Sequence, residues 1–433
     1  MIKVLKFGGT SVGSATNMRQ VAEVIMGEGS NITVLSAMSG TTDALVKISA
    51  LATNNQKDEI PAVVDMLRQK YSTCISELLK DGSAAMQKLE QTLSIIEAQV
   101  SDYKESYSDR VILSQGELLT SAIFTMYLCE MGVKTELLNA PSFMHMDSES
   151  RVDVKALEVS LAGLDMSGQT KYVTQGFIAT NCQDEIDNLG RGGSDYSAAL
   201  IGAAVKANEV QIWTDIDGMH NNDPRYVEGT YPIRNISFDE AAELAYFGAK
   251  ILHPATIQPC KDLNIPVYLK NTMDPKAEGT CISFVENQEQ DFHAVAAKDG
   301  ITVIRIYSAR MLMAYGFLRK VFEIFEQHKT PIDMITTSEV AVSLTVDNDT
   351  HVDEIVEELK ALGKVEIERD NTIVCIVGRL DHDRVGLASK VFESLNDISV
   401  KMISYGASHR SLALLISKEH KIETLRSLNK HLF

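Results

Sequence analysis

The sequence predicts an α/β protein of two or three domains, and three observations carry that expectation. At 433 residues with 45% apolar side chains, the chain is too long for one ordinary core and apolar enough to build several. Short apolar runs alternate with amphipathic segments through its first third, the pattern of layered strands and helices. Beyond residue 300 the chain repeats itself at an offset of seventy residues, which points to a duplicated smaller module.

Val4-Leu5 leads the first strand, Gly8-Gly9 turns the chain, and Met18, Val21, Ala22 and Ile25 fall at the spacing of one helix face. A second unit runs from a strand over Ile32 to Ala37, through Ser39-Gly40-Thr41-Thr42-Asp43, into a helix from Ala44. Residues 60 to 107, polar and free of glycine except Gly82, predict a helical hairpin standing off the sheet. A strand over Val111 to Leu113, a loop Ser114-Gln115-Gly116-Glu117 and a helix from Leu118 are expected next, then a strand from Tyr172 to Thr174. The densest glycine cluster, Gly190-Arg191-Gly192-Gly193-Ser194-Asp195, opens a helix of small residues from Ala198 to Val205. The strand Val210 to Trp213 leads into a turn-rich segment from Thr214 to Arg225, and the charged, Gln-rich stretch from Ser283 to Phe292 reads as a linker. In the repeat, Gly316, Lys320, Val321, Phe322 and Glu323 match Gly386, Lys390, Val391, Phe392 and Glu393, each set opening a helix after a strand. Ser343-Leu344 likewise aligns with Ala413-Leu414, inside the strands Val342 to Val346 and Leu412 to Ile416, so two βαββ-type units are expected.

Lys and Arg number 41 against 59 Asp and Glu, a net charge of -18 that repels nucleic acid phosphates and anionic lipid, and no basic face offsets it. Neither nucleic acid nor membrane is an expected partner. An acidic chain of this kind binds anionic ligands only where a few cations and backbone amides are gathered locally. The six cysteines, at 74, 129, 182, 260, 281 and 375, form no Cys-x-x-Cys pair, which argues against a disulfide framework or a structural zinc site and for a reducing cytoplasm. The start Met1-Ile2-Lys3-Val4-Leu5-Lys6-Phe7 lacks the pattern of a signal peptide, and no run of eighteen apolar residues occurs, so a soluble protein is expected.

Two segments have the composition of anion sites. Lys6-Phe7-Gly8-Gly9-Thr10-Ser11 sets a cation at a strand end before two glycines that let backbone amides approach phosphate oxygens. It lacks the Walker A spacing, and an ordinary glycine turn remains the plain alternative. In the second, from Gly190 to Asp195, glycines precede a helix start whose free N–H groups attract anions, and Arg191 offers a planar fork for a carboxylate. Asp195 either caps that helix or holds a catalytic lysine in place. Glu117 is suited to a substrate ammonium group, or is simply solvated. Thr214-Asp215-Ile216-Asp217-Gly218-Met219-His220 and Asn222-Asp223-Pro224-Arg225 follow a strand end, where open α/β sheets bind ligands. Lys250, in Lys250-Ile251-Leu252-His253-Pro254, adds a cation, and the ten histidines show no metal-ligand spacing.

These segments, in this order, resemble the aspartate kinase branch of the amino acid kinase family across essentially the whole chain. Lys6-Phe7-Gly8-Gly9-Thr10-Ser11-Val12 looks like its N-terminal signature, and Ser114 to Glu117, Gly190 to Ser197, Trp213-Thr214-Asp215 with Asp223-Pro224-Arg225, and Phe247-Gly248-Ala249-Lys250 through Pro254 continue the match. The resemblance implies the amino acid kinase fold, a mainly parallel sheet between helix layers, in residues 1–285. It implies two C-terminal ACT (βαββαβ, ferredoxin-like) domains, the first in 300–370 and the second in 292–299 with 371–433. A fused homoserine dehydrogenase is not expected, because the chain ends at Phe433.

By the same resemblance, Lys6 with the Gly8 and Gly9 amides holds the transferring phosphoryl group, and Asp195 orients the lysines around it. Thr42, Glu117, Arg191, Gly192, Gly193 and Ser194 bind L-aspartate, Glu117 at its ammonium and Arg191 at its α-carboxylate. ATP falls to Lys6, Gly8, Gly9, Ser11, Thr214, Asp215, His220, Arg225, Lys250 and Ile251, although the family often has tyrosine in place of His220. Mg²⁺ is carried in on the ATP phosphates, with no dedicated protein ligands. The implied product is 4-phospho-aspartate, on the route to lysine, threonine and methionine. Met311, Ala314, Phe317, Leu318, Ile332, Asp333 and Thr337 resemble the effector-binding part of lysine-sensitive members, with Asp333 at the effector ammonium and amides near Phe317 and Leu318 at its carboxylate. Lysine is the implied effector, although Ala314 stands where some such members have serine. The ACT pair also implies a homodimer, or a tetramer, and an ACT pair serving only as that interface is the plainer alternative.

Overall fold

The computed structural model describes residues 1–190, 192–248, 252–285, 290–308, 311, 315–381 and 383–433. Up to Ser283 the chain runs β1 (Ile2–Phe7), α1 (Ala15–Gly27), β2 (Ser30–Leu35), α2 (Thr41–Thr53), α3 (Ile60–Leu78), α4 (Ser83–Ser101), α5 (Tyr107–Glu130), β3 (Thr135–Leu138) and α6 (Val154–Leu161). It continues through β4 (Lys171–Gln175), β5 (Ile178–Thr180), β6 (Ile186–Asn188), α7 (Gly193–Ala204), β7 (Glu209–Thr214), β8 (Asn235–Ser237), α8 (Phe238–Tyr246), α9 (Gln258–Asp262), β9 (Val267–Asn271) and β10 (Thr280–Ser283). The remainder is β11 (Phe292–Tyr307), α10 (Phe317–Gln327), β12 (Ile335–Thr337), β13 (Ala341–Val346), α11 (Val352–Leu359), β14 (Lys364–Gly378), α12 (Leu387–Glu393), β15 (Val400–Tyr405), β16 (Ser411–Ser417) and α13 (Lys421–Leu432).

Two compact units result. The first comprises Met1–Met219, Arg234–Phe238 and Leu252–Glu286, and the second comprises His220–Ile233, Asp239–Ile251 and Asn287–Phe433. In the first, an eight-stranded sheet has the order β3-β4-β2-β1-β7-β9-β10-β8. The strands from β3 to β9 are parallel, β10 runs antiparallel to β9, and β8 is parallel to β10. Every residue of β2 is buried, as a parallel strand covered on both faces requires. β1 lies between β2 and β7, so crossovers leave it in opposite directions and open a crevice beyond the carboxyl ends of those strands.

Met18, Val21, Ala22 and Ile25 are all buried on α1, whose start is capped by Ser14 accepting a bond from the Asn17 amide. The segment expected as a hairpin off the sheet is α3 and α4, but it does not stand off. Val63, Leu67, Ile75, Leu89 and Leu93 join Leu5, Phe7 and Leu35 in one core, so the pair is a packed helix layer. The second correction concerns 111–117, which is neither strand nor loop but lies inside the 24-residue α5. A reciprocal cap between Ser106 and Asp109 starts that helix early, and its apolar run is a buried helix interior. Among the described residues α5 is the one helix long and apolar enough to cross a membrane, and 78% of that stretch is buried within the protein.

The second unit is built on a six-stranded sheet, β12-β13-β11-β14-β16-β15. β11 and β14 are long, and each serves twice. Residues 302–307 of β11 pair with β13 and 303–307 with the first part of β14, whereas 292–299 pair with residues 372–378 of β14, which also pairs with β16. Two cores follow: Ile304, Ile306 and Leu344 pack against Val321 and Phe325 of α10 and Val352 and Ile355 of α11, while Val374, Ile376 and Leu414 pack against Val391 of α12 and Leu425 of α13. The internal repeat is real at the backbone, because Gly316 and Gly386 cap α10 and α12 with φ of 81° and 84°.

Candidate active site

Lys6 is the penultimate residue of β1, paired in register with Val34 and Ile212, so the flanking strands fix its position. Phe7, pointing to the opposite face, is buried and stacks on Trp213 with centroids 5.7 Å apart. The Lys6 ammonium lies 2.7 Å from Asp195 Oδ1, with each side chain 12% exposed. Asp195 sits in the first turn of α7, where the helix dipole favours a carboxylate, and among the described residues its Oδ1 accepts no other bond. The pair is thus a cation held at a strand end by a helix start.

Glu117, expected in a loop, is buried on α5. Burial pushes its carboxyl up to about 7, against the Ala37 amide and the Lys6 charge, both of which favour the ionised form. Gly116 makes this possible: a β-carbon there would stand 2.7 Å from that of Ala37. Behind the site Tyr71 is fully buried, its hydroxyl 3.1 Å from both Thr41 Oγ1 and Thr120 Oγ1. Thr120 in turn accepts from the Met38 amide at 3.2 Å. This hydroxyl chain fixes the backbone beside Glu117, and no local sequence signal marks it.

The two glycines after β1 differ. Gly8 N–H donates to Trp213 O at 3.2 Å, whereas the Gly9 N–H meets no acceptor among the described residues. Of the two amides expected at a phosphoryl group, only that of Gly9 is uncommitted. A β-carbon at Gly9 would lie 2.8 Å from Ala37 O, so the close approach of the two loops requires glycine. Gly9 O accepts from the Ser39 amide, which brings the start of α2 and the exposed Thr42 alongside. Ser11, expected at ATP, is completely buried, and its hydroxyl joins Thr272 Oγ1 at 2.7 Å. Gly192, Gly193 and Ser194 form the start of α7, with Gly192 as its cap and Ser194 packed on Gly176. Thr214 ends β7, its hydroxyl donating to the exposed Asp215 at 3.1 Å.

The structure does not gather all the expected nucleotide residues into the first unit. His220 and Arg225 belong to the second, where His220 Nδ1 is 3.1 Å from Thr230 Oγ1 and Arg225 forks onto Asp223 at 2.9 and 2.6 Å. Arg191, Lys250, Ile251 and Ala314 lie outside the described residues. Also in the second unit, Met311, Phe317 and Ile332 pack against the α10–α11 core, Leu318 is exposed in the first turn of α10, and Thr337 is exposed at the end of β12. Asp333, 1% exposed, is already engaged: Oδ1 accepts from Tyr246 at 2.6 Å and from Lys298 at 3.1 Å, while Oδ2 is buried without a partner among the described residues. Burial holds this carboxyl above its usual range, partly offset by those two donors. Lys298 also reaches Asp347 at 2.7 Å and lies 4.2 Å above the Tyr246 ring. The sequence gives no sign of Tyr246, Lys298 or Asp347 because they come from separate elements.

A sequence model of the Amino acid kinase family matches residues 1–271, and one of an ACT domain matches 374–432. Lysine-sensitive aspartokinase 3 of Escherichia coli (strain K12) is 34% identical, over 100% of this chain and 99% of its own. The chain belongs to the aspartokinases, in the amino acid kinase family. Aspartokinase 1, chloroplastic, of Arabidopsis thaliana is 31% identical over 99% of this chain and 80% of its own. Among solved aspartokinases, E. coli aspartokinase III in complex with aspartate and ADP superimposes with a TM-score of 0.88, at 33% identity and 100% coverage of both chains. Clostridium acetobutylicum aspartate kinase gives 0.87 at 27% identity, again over 100% of both. Membership makes the chain an ATP-dependent phosphotransferase with a carboxylate acceptor, and places its mainly parallel sheet and its C-terminal ACT fold as features of the family.

Proposed function

We propose that this aspartokinase transfers the γ-phosphoryl group of ATP to the β-carboxylate of L-aspartate, giving 4-phospho-L-aspartate and ADP. The observation that carries the reading is the Lys6–Asp195 pair at the carboxyl end of β1, with the buried Glu117 charge close enough to feel Lys6. A β-carboxylate oxygen attacks the γ-phosphorus while the bond to the β,γ-bridging oxygen breaks. No proton has to move, because a carboxylate is already ionised at neutral pH. The work is alignment and charge neutralisation. Lys6 faces the oxygens of the moving phosphoryl group, Asp195 keeps it aimed there, and the Gly9 amide adds a donor.

Glu117 takes the substrate ammonium, a charge partner that its burial otherwise denies it. Thr42 and the α7 start from Gly192 to Ser194 complete the aspartate site, with Arg191 on the α-carboxylate. Thr214, Asp215, His220, Arg225, Lys250 and Ile251 are assigned to the nucleotide. Mg²⁺, carried in on the ATP phosphates and keeping several waters, would supply further charge neutralisation. Residues 1–285 form the catalytic domain, 300–370 the first ACT domain, and 292–299 with 371–433 the second. A cytoplasmic homodimer joined through the ACT units, or a tetramer of it, fits the family.

Regulation by L-lysine through Met311, Ala314, Phe317, Leu318, Ile332, Asp333 and Thr337 is supported by a relative: E. coli aspartokinase III in complex with lysine and aspartate matches with a TM-score of 0.84 at 33% identity, over 100% of this chain and 99% of its own. The test is to trap the acyl phosphate as a hydroxamate with aspartate, ATP and Mg²⁺, with and without lysine or threonine. Product that requires aspartate and falls with lysine supports both the reaction and its effector. No product from folded protein would overturn the reaction.

A further inference from the structure

The second unit carries a side-chain cluster that catalysis and amino-acid binding leave unused. His328 directly follows α10 and His351 directly precedes α11, and their rings face each other with centroids 5.8 Å apart and planes inclined by 39°. Glu354, in the first turn of α11, sets a carboxylate oxygen 2.7 Å from His351 Nδ1. One turn further on, Glu358 sets another 2.8 Å from His328 Nε2. A donor atom from each of His328, His351 and Glu354 lies within 4.8 Å of the other two. The two histidines are far apart in sequence, which is why no ligand spacing betrays them.

We propose that His328, His351 and Glu354 form a binding site for a divalent transition ion of the zinc class. Two imidazoles and a carboxylate are a donor set suited to such an ion, with water in the remaining position. Glu358 holds the His328 ring, the orienting role that carboxylates play behind metal-bound histidines. The two histidines are mounted on helix ends whose inner faces share one core, through Val321 and Phe325 on α10 and Val352 and Ile355 on α11. Bonds of about 2.0–2.2 Å set neighbouring donors roughly 3.4 Å apart. Closing from 4.8 Å therefore asks only for side-chain adjustment. His351 and Glu354 have room for it, with side chains 45% and 61% exposed, while His328 at 20% is the anchored member. The consequence of binding is a clamp between the end of α10 and the start of α11.

The test uses the full chain freed of metal by a chelator. Zn²⁺ titrated calorimetrically at about pH 7.5 is expected to bind one ion per chain at low micromolar concentration. Co²⁺ should give a visible spectrum without a thiolate charge-transfer band, which separates this site from the exposed Cys129 and Cys182. Excess Mg²⁺ should not compete. His351→Ala and His328→Gln should each weaken Zn²⁺ at least tenfold, with circular dichroism and the metal-free melting temperature unchanged. Absence of stoichiometric Zn²⁺ binding overturns the proposal. So does binding that survives both substitutions together.

Discussion

Glu117 and Asp333 are both buried carboxylates assigned to the ammonium of an amino acid, yet the chain equips them differently. At Glu117 the nearby lysine is diverted: Lys6 makes its ion pair with Asp195, and Glu117 is supported by the Ala37 amide, its own amide and a more distant charge. At Asp333 an internal ammonium, that of Lys298, is already on the carboxylate, alongside the Tyr246 hydroxyl. On the proposed assignments, a substrate ammonium would supply the charge that Glu117 lacks, whereas an effector would displace a resident cation that has Asp347 as its second acceptor. The difference separates a site organised for catalysis from one organised to change state, because an effector acts only through unequal affinity for two arrangements.

The largest effect expected from breaking this arrangement is at Lys6. Lys6→Ala should lose about 10²–10³-fold in kcat, as removal of a single electrostatic stabiliser does, with circular dichroism unchanged; near-normal turnover in the folded variant would remove Lys6 from the reaction. Next is Glu117→Gln, expected to raise the KM for aspartate by about 10- to 100-fold, the worth of one charged hydrogen bond. A pH titration sharpens this prediction. With the Glu117 carboxyl raised from 4.5 to about 7, the folded chain holds a proton between those values that the unfolded chain has released, so this group's contribution to stability falls as pH rises through the window. The substrate ammonium needs the charged form. The KM for aspartate should therefore fall from about pH 6 to about pH 8, and that trend should vanish in Glu117→Gln.

Asp333→Asn should raise the half-inhibiting effector concentration about tenfold relative to the variant's own uninhibited rate, while Lys298→Met, which removes the resident cation, should lower it severalfold. A Lys298→Met variant that is less sensitive would mean the lysine builds the effector site rather than competing for it. The smallest effect is that of Tyr71→Phe, which removes one hydroxyl from the chain behind Glu117. It should cost about 1 kcal/mol, a melting shift of about 1–2 °C in a protein of this size.

The sequence displays what is local. The strand-glycine-helix starts at Lys6 and Gly192 could be read because their chemistry lies within a few consecutive residues, and the repeat because the same left-handed glycine opens both α10 and α12. Glu117 was misplaced for an equally physical reason. Gly116 usually signals a turn, but in α5 it is the thinnest possible helix surface, chosen so that Ala37 can come close. The spacing Ser106-x-x-Asp109 was the available signal that the helix begins earlier. The helix layer of α3 and α4 looked polar because its exposed face outnumbers the apolar stripe that joins the core. The engagement of Asp333 depends on Tyr246, Lys298 and Asp347, three elements whose meeting is a property of the fold alone.

β11 and β14 each lend one end to one half of the second unit's sheet and the other end to the other half. No single cut through the chain can therefore release an intact half. Removal of residues 384–433 would strip the partner strand from residues 372–378 of β14 and leave an apolar edge open to other chains. For anyone seeking to graft this sheet onto another enzyme, the stretch from Phe292 onward must travel with the His220–Ile233 and Asp239–Ile251 segments of its unit, and the two halves must be inherited, lost and exchanged together.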